Sequence, residues 1–289
     1  MGDHVTAIIV NFNAGDCLAR CIESLLASDT LMSIVVVDND SHDQSINQVM
    51  HLAAGDGRIK TLINSENIGF ARACNQGLKL VDSDYVCFVN PDSEVAPDTM
   101  RLLVEALKNN PDAALAGGWV TNPDGSTQRA TWRRLPDAGR SFNEFSRLGG
   151  ISGDSKAVDL SHRDKPQETL AVEAVSGACM MVRNDRLAQL NGFDEAYFLH
   201  CEDLDLMQQI NLRGWQVLLV PDAQIMHHQG VSSGDRRAWV ERQKHRGMAY
   251  YYRKFHAGRA SIFTNTLVFT GIYLHMLFRV LTLKLGRGS

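Results

Sequence analysis

Apolar and polar positions alternate along the first half of the chain in a way that predicts a parallel β-sheet flanked by helices. Residues 5–11 and 33–38 are short β-branched runs, and residues 17–27 between them carry apolar side chains at helical spacing. Four further segments continue the pattern, alternately helical and extended: 44–53, 59–63, 71–81 and 85–90. Strands connected through helices form right-handed crossovers, so we expect an open, doubly wound α/β sheet.

Polar side chains stand where each predicted strand ends. In chain order these strand-end residues are Asn11 and Asn13, Asp38, Asn67, and Asp92. Ligands of open α/β sheets bind at the carboxyl ends of the strands, so this edge is the expected ligand site.

Apolar periodicity disappears between residues 120 and 170, which predicts a long irregular segment or a lid. Order resumes over 172–182, and residues 203–212 have helical spacing. We expect a catalytic domain over residues 1–232, with a nucleotide-binding half over 1–118 and an acceptor half over 171–232.

Composition narrows the class of protein. The chain has 289 residues, of which 44% are hydrophobic and 21% charged, as in ordinary globular proteins. It has neither a P-loop nor a Gly-x-Gly-x-x-Gly motif after the first strand, which argues against NTPases and dehydrogenases. Its six cysteines lack metal-site spacing, and the N-terminus lacks a signal-peptide pattern, so we expect a cytoplasmic protein.

Three carboxylates and a histidine are candidates for chemistry on a sugar nucleotide. Asp38 suits a ribose hydroxyl or a pyrimidine nitrogen, although Asp40 and Ser41 next to it also suit a helix cap. Asp92 suits a divalent metal on the diphosphate, although its surroundings also suit a plain turn. A carboxylate of the pair Glu202-Asp203 suits a general base, although Asp203 or Asp205 also suits the first turn of a helix without a catalytic role. The pair His227-His228 could supply an imidazole to the metal or the diphosphate.

Six ordered blocks resemble glycosyltransferase family 2, which has the GT-A fold, and within it the bacterial rhamnosyltransferase-like branch. The blocks are 7–13, 36–41, 67–75, 88–92, 192–195 and 201–206. The resemblance spans most of residues 5–233.

The resemblance implies roles for individual residues, which are expectations at this point. The nucleotide pocket would be lined by Asn11, Asn13, Asp38, Asn67, Gly69, Phe70 and Asn75. Gly177 would lie under the donor sugar, Asp203 would be the catalytic base, and Glu202 would position the acceptor. The metal would bind Asp92 and His227, and His227 is preferred to His228 for its spacing to Gly230 and Ser232.

The family's metal motif often reads Asp-x-Asp, whereas Asn90 takes the first position here. Asn-Pro-Asp is common in the rhamnosyltransferase-like branch, so we expect Mg²⁺ or Mn²⁺ as cofactor with its identity left open.

The last 57 residues have a different charge from the rest of the chain. From Ser233 onward there are 11 Lys and Arg against two Asp and Glu, a net charge of +9, whereas the whole chain carries −4. We expect residues 233–289 to form a basic amphipathic helical extension on the inner leaflet of the cell membrane. A soluble packed helix and a homodimer interface are the alternatives.

The predicted function is inverting transfer of one sugar from a nucleotide-sugar donor to a lipid-linked saccharide acceptor in cell-envelope polysaccharide synthesis. L-Rhamnose from dTDP-rhamnose is the suggested donor, with another hexose as an alternative, and no nucleic acid is expected as a partner. A catalytically inactive sugar-nucleotide-binding protein is the non-enzyme alternative, and a processive synthase is disfavoured by the missing Gln-x-x-Arg-Trp motif.

Overall fold

The computed structural model describes residues 4–137, 158–228 and 236–285. The strands are β1 (His4–Asn11), β2 (Leu31–Asp38), β3 (Ile59–Ile63), β4 (Tyr85–Val89), β5 (Ser93–Val95), β6 (Ala113–Thr121), β7 (Trp132–Arg133), β8 (Leu170–Val172), β9 (Ala174–Val175), β10 (Cys179–Arg183) and β11 (Gln216–His227). The helices are α1 (Cys17–Leu26), α2 (Ser45–Gly55), α3 (Phe70–Leu78), α4 (Thr99–Asn109), α5 (Asn184–Leu190), α6 (Glu202–Leu212), α7 (Arg237–Phe255) and α8 (Ile262–Leu285).

The main sheet has the strand order β3-β2-β1-β4-β10-β6-β11-β5, with β8 paired to β11. Strands β1 to β4 are parallel to one another, β11 is parallel to β6, and β10 runs antiparallel between β4 and β6. The prediction of an open, mostly parallel α/β sheet is therefore confirmed. Its first four strands lie within two residues of their predicted bounds.

Helices cover both faces of this sheet. Leu18 of α1, Val49 of α2 and Leu103 of α4 belong to the core on one face. Cys74 of α3 and Met207 of α6 belong to the core on the other face. Burial on both sides explains the nearly continuous apolar runs of the parallel strands, and it confirms the doubly wound arrangement.

The segment 120–170, predicted to be irregular, is partly ordered where the structure describes it. Thr121 still belongs to β6, and β7 pairs with β9 in a separate two-stranded sheet. Residues 138–157 lie outside the described residues. The predicted lid therefore stays a prediction.

Helix α7 is attached to α6 and to the loop before α6 through polar contacts. Lys254 Nζ lies 2.7 Å from Asp205 Oδ2 and 2.6 Å from Asp194 Oδ2, and Asp205 is buried. The Tyr251 hydroxyl donates to Gln208 Oε1 at 2.9 Å. Removing one partner of a buried ion pair leaves an unpaired charge in the interior, which is destabilising. These contacts therefore hold α7 against α6.

Helix α8 packs back on α7 and leaves an apolar face uncovered. The Tyr252 hydroxyl donates to Asn265 Oδ1 at 2.8 Å, and the rings of His245 and His275 are joined by a 3.1 Å hydrogen bond. The large apolar side chains exposed on α8 are Ile262, Phe263, Leu267, Tyr273, Leu274, Leu277, Phe278, Leu281 and Leu285. By length and composition α8 is able to cross a membrane, with a mean hydropathy of 1.5 and only 6% of its apolar window buried.

Candidate active site

The ends of β1 and β2 bring two of the predicted nucleotide-binding residues together. Asn11 and Asp38 are register partners on the two strands, and Asn11 Nδ2 donates to Asp38 Oδ1 at 2.6 Å and to Ser45 Oγ at 2.8 Å. Both side chains are buried, and Asn11 Oδ1 has no hydrogen-bond partner in the part of the chain that the structure describes. A buried acceptor without a donor is uncommon in proteins, so this corner has the character of a ligand site.

The helix cap considered as an alternative for this segment is wrong. Helix α2 begins at Ser45, whose N–H donates to Asp43 Oδ1 at 3.1 Å, so Asp40 and Ser41 lie too early to cap it. Instead the Ser41 N–H donates to Asp38 Oδ2 at 3.0 Å, and Asp40 adopts a positive φ of 65°. The segment is a tight turn that orients Asp38.

The loop before α3 places Asn67, Gly69 and Phe70. Asn67 Oδ1 accepts the Gly69 N–H at 3.0 Å, and the Phe70 N–H donates to the Phe198 carbonyl oxygen at 2.8 Å. Gly69 has a φ of 91°, and a Cβ there would lie 2.7 Å from the Phe198 oxygen. Only glycine fits this approach of two backbones.

Asn13 and Asn75 are held by the protein itself. Asn13 Oδ1 accepts the His42 N–H at 2.7 Å, which ties the end of β1 to the turn after β2. Asn75 Nδ2 donates to the Phe193 carbonyl oxygen at 2.9 Å, and Asn75 Oδ1 accepts the Phe193 N–H at 2.9 Å. Asn75 thus joins α3 to the loop before α6, and its nucleotide contact stays a prediction.

Asp92 and His227, the predicted metal ligands, face each other. His227 ends β11 beside β5, and its Nε2 lies 3.0 Å from Asp92 Oδ1 with both side chains about nine-tenths buried. His227 Nδ1 lies 2.7 Å from Gln128 Oε1. Gln128 Nε2 donates to Asn122 Oδ1 at 2.9 Å and to the His227 carbonyl oxygen at 3.0 Å, so Oε1 is the atom that accepts from Nδ1.

This arrangement leaves His227 Nε2 between the Asp92 carboxylate at 3.0 Å and the Asn90 amide at 3.4 Å. Since Nδ1 carries the proton given to Gln128, a neutral His227 would aim the lone pair of Nε2 at a carboxylate oxygen. The Asn90 amide or a bound metal ion would relieve that repulsion. A carboxylate and an imidazole are ligand types that Mg²⁺ or Mn²⁺ accepts, so Asp92 and His227 would supply two ligands, although the described residues form no cluster of three or more His, Cys, Asp and Glu.

The neighbouring histidine belongs to a different pair. His228 Nε2 lies 2.9 Å from Glu94 Oε1, and both side chains are more exposed than Asp92 and His227. Gly230 and Ser232, which supported the preference for His227, lie outside the described residues. The structure thus places His227, and not His228, against the Asp92 carboxylate.

Asp203 lies in the first turn of α6 beside Gly177. A Cβ on Gly177 would lie 3.0 Å from Asp203 Oδ2, and Arg133 Nη2 lies 2.6 Å from the same oxygen. The Asp205 carboxylate is taken up by Tyr197, Gln209 and Lys254. Among the described residues none donates to Asp203 Oδ1, which leaves that oxygen for an acceptor hydroxyl.

The segment before β10 brings the two predicted sites to one edge of the sheet. The Ala178 carbonyl oxygen accepts the Asn90 N–H at 2.9 Å and the Ser93 hydroxyl at 3.3 Å, on either side of Asp92. Gly177, next to Ala178, lies against Asp203. Residues on either side of Asp92, and Asp203 itself, therefore contact the same short segment, although more than a hundred residues separate Asp92 from Asp203 in the chain.

Glu202 differs from Asp203 in its ionisation. Burial, reinforced by the adjacent Asp203 charge, raises the pKa of Glu202 to about 8, and none of the described residues forms a hydrogen bond with its Oε2. At neutral pH this carboxyl is therefore mostly protonated. A protonated acid cannot remove a proton from an acceptor, so Asp203 is the better base.

This ionisation predicts a pH-dependent stability. The unfolded chain ionises Glu202 near its ordinary value of 4.5 and the folded chain near 8, so the folded state holds the extra proton between these values. The free energy of unfolding then falls as pH rises through this window. Between pH 4.5 and pH 8 we expect the free energy of unfolding of Glu202→Gln, measured in urea, to rise by about 4 kcal/mol relative to the parent's. A difference that stays constant with pH would contradict the assignment.

Two residues of this site escaped the sequence interpretation. Gln128 sets the protonation of His227, and Arg133 contacts Asp203, yet both lie in the segment without apolar periodicity. Their proximity comes from the pairing of β7 with β9 and from the turn after β6. No local pattern signals such long-range contacts.

An open, mostly parallel sheet with polar strand ends and a carboxylate at the start of α6 defines a GT-A type glycosyltransferase fold. The chain belongs to glycosyl transferase family 2, which matches residues 6–164. The mannosyltransferase PcManGT from Pyrobaculum calidifontis, solved with GDP-Man and Mn²⁺, has this fold with a TM-score of 0.61 and 17% identity, covering 100% of this chain and 78% of that one.

Two curated relatives belong to the rhamnosyltransferase-like branch. The N-acetylglucosaminyl-diphospho-decaprenol L-rhamnosyltransferase of Mycobacterium tuberculosis is 28% identical over 249 residues, or 81% of this chain and 79% of the relative. The rhamnosyltransferase WbbL of Escherichia coli is 25% identical over 235 residues, or 78% and 83%. The predicted resemblance to a rhamnosyltransferase-like family 2 protein is confirmed.

Proposed function

We propose that this protein is an inverting glycosyltransferase that moves L-rhamnose from a dTDP donor to a lipid-linked saccharide diphosphate. The observation that carries the proposal is the approach of Asp92 with His227, and of Asp203, to the segment Gly177–Ala178. The Mycobacterium tuberculosis relative, by its name, transfers L-rhamnose to an N-acetylglucosaminyl-diphospho-decaprenol. That likeness supports both the sugar and the acceptor.

The residues of the site divide the reaction between them. Asn11 and Asp38 at the ends of β1 and β2 receive the nucleoside, as strand ends do in open α/β sheets. Asp203 accepts the proton of the acceptor hydroxyl through its uncommitted Oδ1 as the oxygen attacks the anomeric carbon. Attack from the face opposite the departing diphosphate inverts the configuration at that carbon.

A divalent ion would be held by Asp92 and His227, with Gln128 fixing the imidazole from behind. Such an ion would neutralise the negative charge that accumulates on the leaving nucleoside diphosphate. The structure with Mn²⁺ and GDP-Man supports a metal in this fold.

A direct assay tests the proposed reaction. The purified chain is incubated with Mn²⁺ or Mg²⁺, a synthetic polyprenyl-diphosphate N-acetylglucosamine, and in turn dTDP-L-rhamnose, UDP-N-acetylglucosamine or GDP-mannose. We expect a deoxyhexose adduct by mass spectrometry with the rhamnose donor alone, and an inverted anomeric centre by NMR. Transfer from one of the other donors would contradict rhamnose as the transferred sugar. Donor binding without turnover would favour an inactive sugar-nucleotide-binding protein.

The α7–α8 hairpin supports a position on the inner leaflet of the membrane. The apolar face of α8 is exposed, and the arginines Arg242, Arg246, Arg253, Arg259 and Arg279 are exposed on the hairpin. Apolar side chains entering the acyl region beside cations that meet anionic headgroups are typical of interfacial helices. Attachment there would bring the cleft within reach of a lipid-linked acceptor.

Vesicle binding checks this position. Replacing Leu274, Phe278 and Leu281 together by serine removes three exposed apolar side chains, and we expect affinity for anionic vesicles to fall at least about 10-fold. The parent should also bind less in high salt. If the triple variant binds vesicles as tightly as the parent does, the membrane proposal is contradicted. A dimer detected by light scattering favours self-association through this apolar face instead.

A further inference from the structure

Arg133 connects the candidate base to the strand that leads into the sugar-binding segment. Its Nη2 donates to Asp203 Oδ2 at 2.6 Å and to the Val175 carbonyl oxygen at 2.6 Å. Arg133 pairs with Ala174 in the two-stranded sheet, so its backbone is fixed as well. One guanidinium therefore bridges β7, β9 and the first turn of α6.

The contact occupies one oxygen of Asp203 and leaves the other. The side chain of Arg133 is 14% exposed and that of Asp203 is 16% exposed, so water competes weakly for the hydrogen bond between them. A carboxylate bound on one oxygen by a rigid, planar cation cannot rotate freely. Its second oxygen is then directed by the protein rather than by solvent.

The guanidinium also keeps an unused donor. Arg133 Nε is buried, and it has no hydrogen-bond partner among the described residues. Glu202 Oε2, on the neighbouring residue of the base, is likewise buried and unpaired. Buried polar atoms without partners are uncommon, so these two atoms near Asp203 favour a site that gains hydrogen bonds from substrate oxygens over a purely structural ion pair.

We propose that Arg133 is a positioning residue that orients the Asp203 carboxylate for proton removal. The inference rests on the proposed function, since it assigns how that function's base is held. Loss of the guanidinium frees the carboxylate to turn away from the acceptor hydroxyl. Misplacement of a reacting group by about 1 Å costs about 100-fold in rate.

The test compares Arg133→Gln and Arg133→Lys with Arg129→Gln. Arg129 is a matched control because it lies on the same segment and forms an ion pair with Asp159 while its own side chain is 85% exposed. We expect kcat to fall about 100-fold in R133Q and less in R133K, which keeps a charge but not the fork. Donor Kd by calorimetry should stay within about 2-fold of the parent's, and R129Q should match the parent in kcat.

A double-mutant cycle separates positioning from a structural role. If Arg133 acts through Asp203, adding R133Q to Asp203→Asn should cost less than about 3-fold in residual turnover, whereas a structural loss would add in full. Turnover of R133Q equal to the parent's, a donor Kd that weakens in step with kcat, or full additivity overturns the inference. A parent that transfers no sugar contradicts the proposed function itself, and this inference with it.

R133K also guards against misfolding. Its thermal unfolding midpoint reports whether the β7–β9 pairing survives with lysine at this position. A folded R133K with parental kcat counts against the need for a guanidinium and overturns the inference. A folded R133K with reduced kcat and parental donor Kd supports it.

Discussion

Asp203→Asn is expected to lower kcat for sugar transfer about 1,000-fold while leaving the donor Kd within a few-fold of the parent's. Asparagine keeps the shape of the side chain and its contact with Gly177, but it cannot take the proton of the acceptor hydroxyl. Steady-state kinetics with the lipid-linked acceptor give kcat, and calorimetry with the nucleotide sugar gives Kd. A loss of donor binding together with turnover would move Asp203 into the donor site.

Glu202→Gln is the matched control for this substitution. Because burial raises the pKa of Glu202 to about 8, its carboxyl is mostly protonated at pH 7, and glutamine closely imitates that form. We therefore expect kcat of E202Q at pH 7 within about 5-fold of the parent's, since no general base is lost. A loss in E202Q as large as that in D203N would assign the proton transfer to Glu202.

The strand ends of the first half were predictable because parallel topology places all carboxyl ends at one edge. Periodicity predicted β1 to β4, and the rule for ligand sites then selected Asn11, Asp38 and Asp92 without any knowledge of contacts. The structure adds that Asn11 and Asp38 are register partners. The register itself was not predictable, because strands buried on both faces have no alternating pattern that fixes it.

The second half of the site depends on contacts that have no local pattern. The antiparallel insertion of β10 between β4 and β6 brings Gly177 and Ala178 to the same edge as Asp92, and nothing in residues 172–182 indicates that neighbour. The packing of α7 on the sheet domain was only an alternative in the sequence interpretation, which treated residues 233–289 as a basic membrane-facing extension, whereas the structure pairs Lys254 with Asp194 and Asp205. Spacing reports which face is apolar, but it does not identify the partner of a charge.

Asp92→Asn is expected to raise the Mn²⁺ concentration needed for half-maximal activity at least about 10-fold and to lower kcat about 100-fold. The amide removes the negative charge that faces His227 Nε2 at 3.0 Å, and with it the anionic ligand of the proposed ion. A stabilisation of about 3 kcal/mol on the leaving diphosphate corresponds to about 100-fold in rate. Activity titrations with Mn²⁺ and Mg²⁺ after chelation measure both quantities.

The adjacent pair of Glu94 and His228 provides the control for this experiment. It is another carboxylate and imidazole in contact, 2.9 Å apart, but it lies on the more exposed side of the same two strands. Glu94→Gln should therefore leave the metal requirement within about 2-fold of the parent's, because surface pairs contribute little. If E94Q and D92N shift the requirement equally, the metal lies between the two pairs. If neither shifts it and chelation leaves the parent active, Asp92 and His227 hold no metal that the reaction needs, and leaving-group stabilisation falls to the protein's own cations.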